Sequence, residues 1–326
     1  MQMNQGYLEK MRLEKDPKDC RSLFESACKQ SSMRGSALLN DKSVTFPTLY
    51  LLFDSIKTRL PYLRLSSRNI HAVKLISAVK SDKTGNSRIR MLAEKQPAIK
   101  NLLFWAVQTG YDFDGDSDFD YIMDIFICVL INAYGMREVL PMAESLIFRR
   151  SRQGKNIHDL IWAYFQIQDP ETLSRLCEHL KGNEQSEIEL AKELLDVEHT
   201  CKAYDEPERQ YKAYKKWLSD NSDFLYFTNE SPLYSGSPRI CRVDRERKYL
   251  QKSFKNTPKN DMHMLKKEEQ QNLKDFRSLC KEDQECICCF SNDLRSKQGE
   301  NQWKEWMRSP ISEKLKQANA NTEENI

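Results

Sequence analysis

Glycine and proline are both scarce in this chain, with 10 and 11 residues among 326. A β-rich fold needs many tight turns, and tight turns draw heavily on glycine, so the scarcity argues against an all-β protein. Neither GxGxxG nor GxxxxGK[ST] occurs in the sequence. The familiar glycine-rich loops that bind phosphate groups are therefore not predicted.

Long apolar runs are also lacking. The longest extends from Ile125 to Ile131, far short of the ~20 residues that a membrane-spanning helix needs. The first ten residues are polar, so we expect no secretory signal. The net charge of +3 is small for this length and implies no general attraction to membranes or polyanions. We therefore expect a soluble, cytoplasmic protein without a membrane partner.

The motifs of common catalytic sites are missing as well, since neither GxSxG nor HExxH is present. The five histidines are isolated from one another along the chain: His71, His158, His179, His199 and His263. Isolated histidines are usually structural or surface residues. No cofactor is predicted, and the sequence favours a non-enzymatic protein while leaving enzymatic activity undecided.

Helical periodicity is what the sequence has in abundance. After Phe46, apolar residues recur three or four positions apart, as on the buried stripe of a helix. Pro97 and Gly110 bracket a later helix in the order expected for helix ends. Between residues 46 and 196 the pattern predicts eight helices with short loops, which pack as antiparallel hairpins. The predicted fold is all-α, with stacked antiparallel helical hairpins and a polar, partly disordered C-terminal tail.

A stack of helical hairpins resembles the HEAT and armadillo class of α-repeat proteins. The resemblance covers residues 46–196 and implies an extended surface that binds other macromolecules. Prolines at the predicted helix starts, at positions 47, 97 and 170, are unevenly spaced. A compact, irregular helical bundle is therefore the alternative to a solenoid.

Composition divides the chain into four predicted segments. The last one is rich in Lys, Glu, Gln and Asn, and we expect it to hold too little apolar surface to fold alone. The segments are short helices over 1–45, a helical-hairpin core over 46–200, a charged helix with an aromatic docking segment over 201–254, and the polar tail over 255–326.

The densest run of acidic residues is a candidate cation site. Clustered carboxylates suit hard cations such as Ca²⁺. An EF-hand loop that begins at Asp112 needs glycine at its sixth position and glutamate at its twelfth, where Ser117 and Met123 stand. The favoured interpretation is a solvated loop whose last carboxylates cap the next helix. The candidate ligands are Asp112, Asp114, Asp116, Asp118 and Asp120.

A second candidate is a basic strip between Lys57 and Lys100, where eleven basic residues face two acidic ones. Such a strip on outward helix faces is the footprint of phosphate-backbone binding. The alternative is a solvated face balanced by acidic segments elsewhere. The representative residues are Arg64, Arg68, Lys74, Arg88 and Arg90.

Two further segments lie toward the C-terminus. The stretch DFLYFTNESPLYSG is aromatic and turn-rich. We expect it either to close the end of the helical stack or to dock a protein partner through Phe224, Tyr226, Phe227 and Tyr234. The cysteines that follow have the spacing C-x5-C-x-C-C, which is poor for a tetrahedral metal. We interpret Cys280, Cys286, Cys288 and Cys289 as free thiols rather than metal ligands.

Three functions follow from these features. The favoured one is a non-enzymatic helical scaffold or adaptor that binds another protein. The alternative is a nucleic-acid-binding helical protein that uses the basic strip. The third is an enzyme or effector of a kind that the sequence does not reveal, since folds do not fix functions.

Overall fold

The computed structural model describes the chain in several segments. They are residues 6–81, 98–113, 115–202, 204–228, 230, 239–254 and 265–324, with side chains of the last helix up to position 321. Some predicted features lie outside these residues: the helix over 87–96, Asp114, Arg88, Arg90 and Tyr234.

The described residues contain 19 α-helices and one two-stranded sheet, so the predicted all-α fold is confirmed. The chain divides into two compact units, Met1–Ile167 and Gln168–Ile326. The division falls inside the predicted core segment of 46–200. The four predicted segments and the likeness to helical repeats stay predictions.

In the first unit, the helix predicted from Phe46 is divided in two at Leu52, and the helix bracketed by Pro97 and Gly110 extends from Ala98 to Gly110. The helices are α1 (Tyr7–Glu14), α2 (Pro17–Gln30), α3 (Ser32–Leu39), α4 (Phe46–Leu51), α5 (Phe53–Arg59), α6 (Ser67–Ser81), α7 (Ala98–Gly110), α8 (Ser117–Asn132), α9 (Leu140–Arg152) and α10 (His158–Gln166).

Helix α8 is the centre of the first unit, because it is apolar around most of its circumference. It packs against α7 and α10. Its Phe126 ring meets the Phe46 ring edge-on, with centroids 5.3 Å apart, which is a favoured arrangement of two aromatic rings. A helix that is apolar all round belongs in a protein interior, and α8 lies there.

Arg150 of α9 is a buried cation of the first unit, with 2% of its surface exposed. Its guanidinium contacts the carboxylates of Asp120, at 3.2 Å, and Asp124, both on α8. Lys155 also contacts Asp120, at 3.0 Å. Burial raises the pKa of Asp124 to about 6, although Arg150 acts in the opposite direction. Opposite charges therefore join α9 to α8 inside the unit.

The second unit contains nine helices among the described residues and a short hairpin. The helices are α11 (Pro170–Cys177), α12 (Gln185–Leu194), α13 (Val197–Thr200), α14 (Pro207–Asn221), α15 (Arg245–Tyr249), α16 (Lys267–Arg277), α17 (Lys281–Gln298), α18 (Glu300–Arg308) and α19 (Ile311–Glu324). Strands β1 (Leu225–Phe227) and β2 (Cys241–Val243) pair antiparallel, with Tyr226 opposite Arg242.

Helices α16 to α19 pack around Tyr249 of α15. The Tyr249 ring stacks on Phe276 with centroids 4.7 Å apart, and it meets Trp306 edge-on. Ile287 and Ala318 complete the same buried cluster. The predicted polar tail is therefore helical over residues 267–324, because its few apolar side chains converge on a residue that lies outside the tail. Residues 255–264 are not described.

Within the described parts of the chain, none of the helices is both long and apolar enough to cross a lipid bilayer.

Candidate functional site

The described aspartates of the acidic segment each contact different partners. Asp116 caps α8, since its carboxylate accepts a hydrogen bond from the Phe119 N–H at 2.9 Å, and it also accepts one from the Tyr50 hydroxyl. Burial raises the pKa of Asp116, but the hydrogen bonds from Tyr50 and Phe119 outweigh it and leave this pKa below its ordinary value. Asp116 therefore acts as a helix cap.

The neighbouring carboxylates each face a basic side chain. Asp112 lies 3.9 Å from Arg149, Asp118 lies 3.8 Å from Lys80, and Asp120 faces the buried Arg150. A cation site needs several oxygens that converge on one point. Among the residues that the structure describes, these aspartates form no group that could hold a metal.

The described residues of the basic strip do not share one environment. Arg64 and Lys74 are exposed, whereas Arg68 is half-buried and lies over the Trp105 ring at 4.5 Å. Arg68 also donates to the Val44 carbonyl at 3.3 Å, and burial lowers its pKa. Arg68 thus contributes to packing within its own unit. The role of the strip in nucleic-acid binding stays a prediction.

The aromatic segment leads to a groove in the second unit. Phe224 is buried, whereas Tyr226 and Phe227 are half-buried on strand β1. Tyr226 is part of the wall of a groove of about 1120 Å³. The groove is formed by the hairpin, α14, α15, α16 and the start of α17. Its aromatic lining residues are Trp217, Tyr226, Phe254 and Phe276.

The charges along the groove are balanced and largely paired. Five basic and five acidic side chains line it, so it lacks the one-sided charge that attracts a polyanion. Three of its ion pairs are Arg239 with Asp196 at 3.6 Å, Arg247 with Asp244 at 3.6 Å and Arg245 with Glu285 at 2.5 Å. The exposed Lys281 and Glu282 stand at the start of α17.

A thiol pair lies on α17 one turn beyond the groove wall. Cys289 is exposed and Cys288 is buried. The Cys288 thiol donates to the Glu285 carbonyl at 3.2 Å, and the Cys289 sulfur lies 3.8 Å from the Glu285 carboxylate. The other two cysteines lie apart from this pair: Cys280 is the N-cap of α17, and Cys286 contacts Asn319 at 3.2 Å.

Lys248 of α15 contacts the Cys289 sulfur from the protein interior. Its side chain is buried, and its ammonium donates to the Asn221 amide oxygen at 2.7 Å and to the Cys289 sulfur at 3.5 Å. Nothing in the sequence signals this contact, because Lys248 and Cys289 are 41 positions apart. Reasoning from the sequence missed both Lys248 and Asn221.

These thiols and Glu285 are poorly suited to a divalent metal. Potential ligand atoms of Glu285, Cys288 and Cys289 lie within 4.8 Å of one another. Adjacent cysteines on one helix offer poor tetrahedral geometry. The Lys248 ammonium lies 3.5 Å from the Cys289 sulfur and would repel a cation bound there. The arrangement fits a cation-stabilised thiolate better.

The pKa of the Cys289 thiol reflects these neighbours. A hydrogen bond from Cys288 and the charge of Lys248 lower the pKa of Cys289 to about 7, against the opposing effects of burial and Glu285. The single Cys288 proton already points to the Glu285 carbonyl, so Lys248 is the contribution that the geometry supports directly. Cys289 therefore ionises more readily than an ordinary thiol.

Comparison of this chain with protein-family models, with curated proteins and with solved structures finds no match. The functional inference therefore depends on the groove and the thiol site themselves.

Proposed function

We propose that this chain is a non-enzymatic adaptor whose second unit binds a peptide segment of another protein. The observation that carries the proposal is the groove of about 1120 Å³ with Trp217 and Tyr226 in its walls. Small-molecule pockets measure roughly 300–1,000 Å³, so a groove of this size accommodates several residues of a peptide. Aromatic side chains are the residues that most often anchor protein partners.

The charges indicate which partner suits the groove. Its equal numbers of basic and acidic side chains favour a peptide that carries both signs over an RNA or DNA strand. The Arg245–Glu285 and Arg239–Asp196 pairs can exchange partners with a peptide of that kind. Such a peptide places an apolar or aromatic side chain against Tyr226 and its charges along the rim.

Selection from a displayed library of random peptides, made on the intact chain, tests this proposal. Selected peptides should bind at least about tenfold more weakly to Tyr226→Ala, a loss of about 1.4 kcal/mol. Tyr62→Ala is the matched control, because Tyr62 is 74% exposed but belongs to the first unit. Its affinity should equal that of the wild type, as measured by calorimetry.

A second variant tests the groove without changing Tyr226, whose loss could disturb the local fold. Lys281→Glu reverses an exposed charge on the groove rim and should change the affinity for charged peptides while circular dichroism stays unchanged. If neither groove variant changed the affinity for the selected peptides, the result would contradict the proposal. Micromolar binding of RNA or duplex DNA at 0.15 M salt, lost in Arg64→Ala plus Lys74→Ala, would favour the nucleic-acid alternative.

A further inference from the structure

We propose that Cys289 is a site of reversible oxidation by peroxides, and that the buried Lys248 ammonium activates it as a thiolate. The proposal does not depend on the peptide-binding function, because Asn221, Lys248 and Cys289 are not among the residues that line the groove. It assigns a modification site with a defined chemistry, in which the oxidant is a hydroperoxide and the reductant is a small thiol.

The geometry of Lys248 is the first argument. Only 2% of this residue is exposed, and a buried ammonium needs hydrogen-bonding and preferably anionic partners. Asn221 supplies a neutral oxygen at 2.7 Å, and the Cys289 sulfur lies at 3.5 Å. A thiolate at this position compensates the buried charge, which a neutral thiol cannot do.

The other groups that face the Cys289 sulfur act in different directions. Cys288, on the same helix, is buried and remains a thiol, because burial and its neighbours raise its pKa well above the ordinary value. The Glu285 carboxylate, 3.8 Å away, opposes ionisation of Cys289. This carboxylate is itself held by Arg245 at 2.5 Å, which reduces its opposition.

Exposure is the second argument, since an oxidant must reach the sulfur. Cys289 is exposed to solvent, in contrast to its buried neighbour Cys288. Redox-sensitive cysteines combine a lowered pKa with solvent access. Cys280 offers an internal comparison, because it is exposed on the same helix but its pKa is raised. The Asp283 N–H lowers the pKa of Cys280, and the Asp283 and Glu282 side chains together with desolvation more than reverse this effect.

The reaction proceeds in two balanced steps. The Cys289 thiolate attacks one peroxide oxygen, so that an S–O bond forms as the O–O bond breaks, and the leaving hydroxide takes a proton to become water. The sulfur is oxidised by two electrons to a sulfenic acid, and the peroxide is reduced. A small thiol such as glutathione then displaces water to give a mixed disulfide, and thiol exchange with a second small thiol restores Cys289.

Peptide-resolved mass spectrometry on the intact chain tests the proposal. After a brief hydrogen peroxide pulse, a dimedone-type probe should label Cys289 at least about fivefold faster than Cys280 at pH 7. The advantage is moderate because a lower pKa also reduces the intrinsic nucleophilicity of the thiolate. Alkylation of Cys289 by iodoacetamide should reach its half-maximal rate near pH 7. Equal labelling of Cys289 and Cys280 would overturn the proposal.

Two variants separate activation by Lys248 from simple exposure. Lys248→Met should move the half-maximal pH of Cys289 upward by at least about one unit, and it should leave Cys280 unchanged. Glu285→Gln should move the Cys289 value downward, because it removes the opposing carboxylate. Since Glu285 is exposed, this variant keeps the test valid if Lys248→Met does not fold. An unchanged or higher value in Glu285→Gln would overturn the proposal.

Zinc supplies the remaining test. One equivalent of Zn²⁺ should leave the alkylation of Cys289 unchanged at pH 7, because Lys248 opposes a bound cation. Stoichiometric protection of both Cys288 and Cys289 would overturn the proposal in favour of a metal centre.

Discussion

Both units bury a guanidinium beside a carboxylate, with Arg247 beside Asp244 in the second unit, but the second unit also buries two amines whose contacts are of another kind. In the first unit, Arg150 lies between two carboxylates of α8. In the second unit, the buried amines face groups that are neutral or weakly acidic: Lys248 contacts Asn221 and Cys289, and Lys314 contacts Asn272 and Tyr249.

We infer from this difference that the ion pairs of Arg150 are structural, whereas the buried amines of the second unit make their surroundings sensitive to pH. The guanidinium of Arg150 and the two carboxylates that face it hold α9 against α8, so this contact is a structural connection. An amine that is buried beside neutral partners has less compensation for its charge, and burial lowers the pKa of Lys314 accordingly. The second unit also carries the groove, so its chemistry and its binding surface lie in one unit.

The largest effect on stability is expected when the Arg150 ion pairs between α8 and α9 are removed. Arg150→Met should lower the free energy of unfolding of the first unit by about 3–5 kcal/mol, because it leaves Asp120 and Asp124 without their buried partner. Arg152→Met is the control, since Arg152 is exposed on the same helix, and it should change stability by less than about 0.5 kcal/mol. Urea unfolding followed by circular dichroism measures both; equal effects would remove the contrast.

A smaller effect, dependent on pH, is expected at Lys314. This residue is 1% exposed, and burial lowers its pKa to about 8 from 10.5. Between these two values the unfolded chain binds more protons, so the contribution of Lys314 to stability rises with pH and is constant below about pH 8. The wild type should therefore gain on the order of 2 kcal/mol relative to Lys314→Met as pH rises from 8 to 10.5.

The control for Lys314 is Lys316→Met, an exposed position two residues further along α19. The free energy of unfolding of Lys316→Met should change with pH in the same way as that of the wild type. Urea unfolding at four pH values from 7 to 10 gives both profiles. A constant difference between the wild type and Lys314→Met would contradict the lowered pKa of this amine.

The smallest effect is expected at the acidic segment. Asp116→Ala should lower stability by about 1–2 kcal/mol, because it removes the cap of α8, while Asp116→Asn retains an acceptor and should cost less. Millimolar Ca²⁺ should leave the melting temperature of the wild type unchanged. A clear rise in melting temperature with Ca²⁺ that disappears in Asp116→Asn would instead indicate a cation site.

Local patterns predicted much of the fold. The charged helix predicted within 201–254 is present over Pro207–Asn221, because its proline start and amphipathic spacing are contained in its own residues. Most helices of the first unit follow for the same reason. The packing of the helices beyond residue 266 could not be predicted, because Tyr249 provides the apolar surface that their own composition lacks.

The candidate site was predictable only in part. Tyr226 was predicted to contact a partner, and it lines the groove. The carboxylates of 112–120 looked like one cluster in sequence, yet the described ones face Arg149, Lys80 and Arg150 separately. The Lys248–Cys289 contact depends on how α15 and α17 pack, so residue spacing carries no trace of it.

The most direct test asks which unit binds the partner. Hydrogen exchange of the intact chain, with and without a selected peptide, reports protection segment by segment. The account predicts slower exchange over 225–227, 241–247 and 281–285, with no change in α6 to α10. Protection confined to the first unit, for example over Ser67–Ser81 of α6, would contradict the assignment of partner binding to the groove.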